Sequence, residues 1–220
     1  MKFLITDYND ASSLLETKYK VEWKEIEAVI KKMPLFIKDS DQKGKQGTKI
    51  FNPVGTNKAI EDGLREKSWK LKQQIPPEFS FLGTDIDFVK KGILVEAQFS
   101  NYPFLLNNIQ RSELFLKSKT VFDEIATEML IVITKCHLLP ASNSTLYYEQ
   151  AKQQLAALSS YKVFSIPVRL VGLTEEIGVE IAVKNVLYHN ARYSRTENEV
   201  REHIAIITAK GAGRGKISIT

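Results

Sequence analysis

The feature that most constrains the fold is a continuous apolar run at residues 129–134, Met-Leu-Ile-Val-Ile-Thr. A strand without alternation of apolar and polar side chains is typical of a strand buried on both faces. Such a strand needs a cover of helices on each side of its sheet. The run therefore predicts an α/β protein whose central sheet is flanked by helices.

The rest of the pattern predicts helices and a hairpin before this strand, one helix directly after it, and then mostly strands. Apolar spacing predicts helices at 21–33, 57–70, 104–118 and 145–158, and strands near 162–171, 177–187 and 203–208. No internal repeat or clear linker divides the chain. We therefore expect a single domain over residues 1–220, with a core at roughly 1–160 and a β-rich addition at roughly 161–220.

Composition narrows the function classes. The chain is 43% hydrophobic and 26% charged, as in soluble globular proteins, and has no run of eighteen apolar residues that could span a membrane. A single cysteine excludes an internal disulfide framework, and with three histidines it argues against a structural zinc site. The N-terminal segment reaches an acidic residue at Asp7, too early for a signal peptide, so we expect a cytoplasmic protein. A net charge of +5 fits a polyanionic partner.

The most unusual segment is Gly83–Ser100, which reads as two strands joined by a turn at Val-Lys-Lys-Gly. Alternation along the strands puts Glu96 and Gln98 on one face. If the turn has four residues, Asp85 lies opposite Glu96, and Asp87 is a diagonal neighbour at roughly 7 Å. All these polar side chains then share a face of an otherwise apolar hairpin.

Two carboxylates this close repel each other unless a cation lies between them. Magnesium is the natural candidate because it takes oxygen ligands and keeps some of its waters. The alternative is a solvent-facing hairpin whose carboxylates pair with Lys90 and Lys91.

The hairpin resembles the core of the PD-(D/E)XK nucleases, an aspartate followed by Glu-x-Lys on the next strand, with Gln98 in place of the lysine. Within that superfamily the chain resembles the BglII family of type II restriction endonucleases, in which the glutamine belongs to the pattern. The resembling stretches, in order from residue 5 to residue 196, are ITDYND, FNPVGTN, FLGTDIDF, LVEAQFSNYPFLLNN, PASNSTLYYEQA, PVRLVGL and RYSRT.

The resemblance implies magnesium-dependent hydrolysis of double-stranded DNA in a bacterial cytoplasm, at a palindrome with GATC at its centre, leaving 5′-phosphate ends. It also implies a homodimer and a restriction-endonuclease-like core with a mixed central sheet, extended by a C-terminal β-sandwich-like subdomain. The β-rich second half of the chain agrees with that architecture.

The same resemblance implies roles for individual residues. Asp87 would be the principal metal ligand and the Ala97 carbonyl a second, Glu96 would hold the metal and its waters, and Gln98 would orient the attacking water. A glutamine can position that water only by hydrogen bonds, because it carries no charge. The family's upstream active-site asparagine is absent: Lys72 is at the matching position, and either Lys72 or a neighbouring glutamine could take over its role.

Candidate base-reading residues lie in three further segments, and their side chains suit hydrogen bonding in the major groove. They are Ser100, Asn101, Asn143, Ser144, Tyr193 and Arg195. Plainer interpretations exist: Ser142 or Asn143 could cap the helix expected at 145, Tyr193 could pack, and Arg195 could contact a phosphate. The loop with Lys43, Lys45 and Lys49 could follow the DNA backbone or face solvent.

Two other functions fit the same residues. One is a structure-specific repair or junction-resolving nuclease of the same fold, and the other is a DNA-binding protein whose carboxylates no longer support cleavage. Digestion of plasmid DNA with and without magnesium separates all three.

Overall fold

The apolar run lies in the strand Met129–Lys135, which is buried along its whole length within a six-stranded sheet. The computed structural model describes residues 1–189, 196–209 and 213–220. The strands described are β1 (Lys2–Tyr8), β2 (Leu35–Asp39), β3 (Lys49–Phe51), β4 (Lys70–Gln74), β5 (Asp85–Lys90), β6 (Ile93–Ala97), β7 (Met129–Lys135), β8 (Val168–Thr174), β9 (Glu180–Tyr188), β10 (Glu197–Thr208) and β11 (Lys216–Ile219). The α-helices described are α1 (Ala11–Glu16), α2 (Lys20–Lys32), α3 (Pro53–Arg65), α4 (Phe104–Lys117) and α5 (Tyr148–Ser160), with a 3₁₀ helix at Pro77–Leu82.

The central sheet is mixed and has the strand order β1-β8-β7-β6-β5-β4. Strands β6, β7 and β8 are parallel, and the other neighbours are antiparallel. Ile131 packs in the apolar cluster that contains Ile30 of α2, whereas Leu130 packs in a second cluster with Leu155 of α5. Helices therefore cover both faces, and the predicted α/β fold class is confirmed.

The second sheet closes on itself as a barrel with the order β10-β11-β3-β2-β9. Strands β2 and β3 come from the N-terminal half of the chain, and β8 lies in the central sheet. The strands therefore do not divide between the two sheets at residue 160, and the β-rich part is a barrel where a sandwich-like subdomain was expected. Strand β8 joins the core because it is parallel to β7 and reaches it through the crossover helix α5.

The barrel and the central sheet share one apolar cluster. Val183 of β9, Ile207 of β10 and Ile217 of β11 are buried in the same cluster as Ile131 of the central sheet. Burial of this shared apolar surface holds the barrel against the helix-covered face of the sheet. Among the described residues, no helix is long and apolar enough to cross a membrane.

The hairpin between β5 and β6 has a tighter turn than expected. Lys90 pairs with Ile93, so Lys91 and Gly92 alone form the turn. Both turn residues have positive φ, 47° for Lys91 and 78° for Gly92, as a type I′ turn requires. A Cβ atom at Gly92 would lie 2.5 Å from the carbonyl oxygen of Ala126, so the close approach of that loop also requires glycine.

This turn changes the register of the hairpin by two residues. Val95 pairs with Phe88, whereas a four-residue turn would have paired Phe88 with Ile93. The same register, continued by one residue, puts Asp87 opposite Glu96. A shift by two residues leaves every side chain on its expected face, because side chains alternate with a period of two.

Candidate active site

The hairpin brings Asp87 and Glu96 together on the α4 face of the central sheet. The backbone N–H of Ala97 donates to Asp87 Oδ2 at 2.9 Å. The Asp87 carboxylate thus accepts a hydrogen bond that a backbone carbonyl would accept in a regular β-ladder. Both carboxyl groups line a cleft of about 520 Å³, and the cleft also contains Gln98. The structure therefore places the three expected catalytic side chains in one cleft.

Burial makes the charged forms of both carboxyl groups costly. It raises the pKa of Asp87, and the charge of Asp85 raises it further, against the hydrogen bond from Ala97. Burial also raises the pKa of Glu96 to about 8, although Arg111 opposes this. An added cation would stabilise both carboxylates, so the donor set of two carboxyl groups and a nearby backbone carbonyl fits a divalent ion that prefers oxygen.

Arg111 of α4 is a site residue that sequence reasoning missed. Its Nη2 donates to Glu96 Oε1 at 2.5 Å, and both side chains are buried. Asn108, one helical turn earlier, is also buried beside apolar Leu105 and Ile109. Polar residues on the apolar face of a predicted helix were the available signal, because such residues need a buried partner.

Gln98 is held by hydrogen bonds at both ends of its amide. Nε2 donates to Ser100 Oγ at 2.8 Å and to the carbonyl of Asn101 at 3.4 Å. Oε1 accepts from Asn108 Nδ2 at 3.3 Å. The side chain expected to orient water is thus tied to α4 and to the two nearest candidate base readers.

The alternative interpretation of the hairpin is wrong. Lys90 donates to Glu25 of α2 at 2.8 Å, and Lys91 lies 3.0 Å from Glu22 of the same helix. These lysines therefore tie the hairpin to α2 and do not neutralise the carboxylates of the cleft.

Two candidates to replace the missing upstream asparagine, Lys72 and Gln73, have partners outside the cleft. Lys72 Nζ lies 4.0 Å from Glu61 of α3, and Gln73 Nε2 donates to the carbonyl of Leu71 at 2.9 Å. Neither side chain lines the cleft, whereas Asn57 and Thr84 do.

Four of the candidate base readers lie together at the end of β6. Asn101 forms a β-bridge with Thr145, and the N–H of Leu146 donates to the Ser100 carbonyl at 2.9 Å. The side chains of Ser100, Asn101, Asn143 and Ser144 are exposed. Tyr193 and Arg195 lie outside the described residues.

The helix-cap interpretation of the 142–145 segment is wrong. Helix α5 begins at Tyr148 with Tyr147 as its N-cap, three residues later than expected. Thr145 Oγ1 donates to the Ser142 carbonyl at 2.9 Å and closes a separate turn. Asn143 is therefore not engaged in capping the helix.

A buried lysine anchors this turn. Lys135 Nζ donates to the Leu146 carbonyl at 2.6 Å and lies 4.4 Å from the centre of the Tyr147 ring. Burial, and to a smaller extent the charge of Arg214, lower the pKa of Lys135 to about 7. The carbonyl and the ring stabilise an ammonium that has little contact with water.

Other polar groups give weaker signals. Lys43 and Lys45 are exposed on the loop between β2 and β3, whereas Lys49 pairs with Asp39 at 2.6 Å. Nζ of Lys49 is therefore compensated within the protein. The described residues contain no group of three or more His, Cys, Asp and Glu side chains arranged to hold a metal.

The buried Glu96 gives a prediction about pH. Because its pKa is raised to about 8 in the folded protein, the folded state holds a proton that the unfolded state releases between about pH 4.5 and 8. The metal-free protein should lose stability as pH rises through that range. Glu96→Gln should remove the loss and be more stable at pH 9, by on the order of a few kcal/mol, with little difference at pH 4.

Chemical denaturation of both proteins at several pH values measures this difference. Glu113→Gln is a control of opposite sign, because hydrogen bonds from Ser165 and Ile166 lower the pKa of Glu113 below its usual value, even though burial opposes them. A Glu96→Gln protein with the same pH dependence as the parent would contradict the prediction.

Comparison with known proteins agrees with the sequence resemblance. The sequence profile of the restriction endonuclease BglII/BglIII family matches residues 3–173. The chain is 52% identical over 217 residues to the type II restriction enzyme BglII of Bacillus subtilis, a match that covers 99% of this chain and 92% of that protein.

Two solved structures match the full length of the chain. A crystal structure of BglII in complex with a DNA 16-mer has a TM-score of 0.96 at 50% identity, and a crystal structure of free BglII has a TM-score of 0.78 at 47% identity. Each match covers 100% of both chains. The fold described above is therefore the restriction endonuclease fold, and its conformation is nearer to that of the DNA complex.

Proposed function

Because the chain belongs to the restriction endonuclease BglII/BglIII family and is a type II site-specific deoxyribonuclease, we propose that it cuts double-stranded DNA at a palindrome with GATC at its centre. The cut requires magnesium and leaves 5′-phosphate ends. The observation that carries the proposal is that the cleft and the candidate base-reading side chains are directly connected. The cleft with Asp87 and Glu96 leads through Gln98 directly to the exposed side chains of Ser100 and Asn101.

In this proposal Asp87, Glu96 and the carbonyl of Ala97 hold the magnesium ion. When bound, the ion lowers the pKa of a water molecule and offsets negative charge on the phosphate. The N–H of Ala97 fixes the Asp87 carboxylate, so this ligand is already oriented. Gln98 positions the attacking water through its amide, which Ser100 and Asn108 hold in place.

In this proposal, base recognition belongs to side chains that follow the catalytic strand in the sequence. Asparagine can donate and accept hydrogen bonds at one adenine, and arginine can donate two to guanine. We assign these roles to Asn101, Asn143 and Arg195, with Ser100, Ser144 and Tyr193 as further contacts. Exposed Lys43 and Lys45 are suited to phosphate contacts.

A palindrome is read most simply by a two-fold dimer in which each subunit contacts one half-site. We propose that the chain, as a single nuclease domain over residues 1–220, acts as such a homodimer. Tyr102, Phe104 and Leu106 are exposed around the start of α4, and a second copy could cover this apolar surface. Helix α5 is the other candidate for the interface.

Digestion of plasmid DNA tests the proposed function. We expect discrete fragments with magnesium and none with a chelator, and sequencing of the fragment ends should place GATC at the centre of each site. Cuts that depend on DNA structure would favour a junction-resolving nuclease, and binding without cutting would contradict the proposed reaction.

Gln98→Lys tests whether a positive charge on the catalytic strand helps the reaction. The added ammonium would lie close to the proposed magnesium site and compete with the ion. We therefore expect lower cleavage activity and a weaker dependence on magnesium concentration. Cleavage rates over a magnesium titration measure both effects.

The control for the added charge is Gln110→Lys, at an exposed position of α4, and this variant should cleave normally. A large gain in rate for Gln98→Lys would show that the site lacks a cation that lysine can supply.

A further inference from the structure

With glutamine at position 98, the catalytic strand has no positive charge to stabilise the phosphate. The expected nuclease pattern has a lysine there, and a lysine can stabilise the negative charge that develops on a phosphate. Of the described residues that line the cleft, Arg111 is the one with a positive charge. It comes from α4 and not from the catalytic strand, so the spacing of the hairpin motif does not reveal it.

The guanidinium of Arg111 has donors to spare. It carries five N–H groups, and the hydrogen bond found for it among the described residues is the one from Nη2 to Glu96. The side chain is only 7% exposed, and its Nε is buried without a hydrogen-bond partner in the described structure. The remaining N–H groups of Nη1 and Nη2 are therefore the donors available to an anionic ligand in the cleft, and arginine matches the geometry of phosphate oxygens.

Neighbouring elements keep the guanidinium at this place. Gly83 lies against it, and a Cβ atom at that position would come 2.9 Å from Nη1. Glu113, on the same helix, accepts hydrogen bonds from the N–H groups of Ser165 at 2.8 Å and Ile166 at 2.7 Å. Helix α4 is therefore fixed to the segment before β8, and Arg111 is oriented before DNA arrives.

We propose that Arg111 is a catalytic residue that donates hydrogen bonds to a nonbridging oxygen of the phosphate being cut. It supplies from α4 the positive charge that Gln98 does not supply from the strand. The inference rests on the proposed function, in which Asp87, Glu96 and Gln98 form the cleavage site.

The reaction balances without a proton from Arg111. The oxygen of water forms a bond to phosphorus, and the bond from phosphorus to the 3′ oxygen breaks. Water loses a proton to solvent, and the 3′ oxygen takes one from solvent. Arg111 stays charged throughout and stabilises the extra negative charge on the phosphate oxygens in the transition state.

A purely structural role makes the opposite prediction for cation binding. If Arg111 only held Glu96 in place, its removal would disorder a ligand and weaken the binding of a divalent ion. If Arg111 acts on the phosphate, its removal takes a repelling charge away from the ion, and binding should be unchanged or tighter.

The first test compares Arg111→Met with the parent protein as full-length chains. We expect single-turnover cleavage at saturating magnesium to slow by about 10²–10³-fold, the usual effect of losing one preorganised donor. Calorimetry with Ca²⁺, without DNA, should give equal or higher affinity. Arg169→Met is the control, since Arg169 is also buried and forms a bidentate salt bridge with Asp7 outside the cleft. It should cleave at the parental rate.

The second test uses Gln98→Lys in two backgrounds. In the parent protein this change should slow cleavage, but in Arg111→Met it should restore the missing charge and raise the rate at least about tenfold. Should Arg111→Met fail to fold, Arg111→Lys keeps a charge without the planar fork and is expected to lose about tenfold in rate with unchanged Ca²⁺ affinity.

Several results would overturn the proposal. They are a parental cleavage rate in Arg111→Met, weaker Ca²⁺ binding by that variant, or no gain from Gln98→Lys in its background. Cleavage by Glu96→Ala at the parental rate would instead contradict the proposed catalytic site itself, so the two failures are distinguishable.

Discussion

Glu96→Ala and Asp87→Asn are each expected to keep the fold and DNA binding while cleavage falls by at least about 10³-fold. Each change removes one of two carboxylates proposed to hold the magnesium ion. The ion supplies several kcal/mol of charge stabilisation, and each 1.36 kcal/mol corresponds to a factor of ten in rate. The measurement is single-turnover cleavage of a GATC-centred duplex, with DNA binding measured separately in Ca²⁺.

Asp85→Asn is the matched control for this experiment. Asp85 lies on the same strand and lines the same cleft, but it is not one of the proposed ligands. We expect its cleavage rate to stay within about tenfold of the parent, because it influences the site only through its charge. Parental activity in both Glu96→Ala and Asp87→Asn would exclude these residues as the catalytic pair.

Asn143→Ala is expected to weaken specific DNA binding by roughly 2–6 kcal/mol. Losing one bidentate base contact costs roughly 1–3 kcal/mol, and a homodimer loses it in both half-sites. Asn143 is exposed and does not cap α5, so its amide is available to a base. Binding to scrambled DNA should hardly change, since it depends on contacts of lysine and arginine with phosphates.

The comparison requires both duplexes at one salt concentration, with Ca²⁺ in place of Mg²⁺ to prevent cutting. Lys43→Ala provides the contrasting control, because a phosphate contact should weaken binding to both duplexes alike. If Asn143→Ala lowers both affinities by the same factor, Asn143 does not read a base.

Alternation along the strands was enough to predict which side chains face the cleft. Asp87, Glu96 and Gln98 lie together there, although the predicted turn length was wrong. The error was harmless because it moved the register by two residues. The turn itself depends on Lys91 at positive φ and on the loop that packs against Gly92, and neither is visible in a local hydrophobic pattern.

The role of Arg111 at the site could not be predicted from the sequence. The helix that carries it was predicted to within one residue at its C-terminal end, as residues 104–118 against the observed Phe104–Lys117. Its pairing with Glu96 depends on how α4 packs on the sheet, and spacing along one element cannot give that geometry. The start of α5 was missed for a similar reason, because the turn at 142–145 belongs to contacts with Ser100 and Lys135.

The division of strands between the two sheets has a consequence for synthesis of the protein. Lys2 pairs with Thr174 in the central sheet, and Leu35 pairs with Val183 in the barrel. Strand β1 therefore waits for a partner made more than a hundred residues later, and β2, which can pair locally with β3, waits as long for its other neighbour, β9. Such distant pairing is slow and leaves strand edges open on the growing chain. A ribosome-bound fragment that ends before β9 contains every strand of the central sheet but has no barrel, so the apolar cluster that the two sheets share is completed only late in translation.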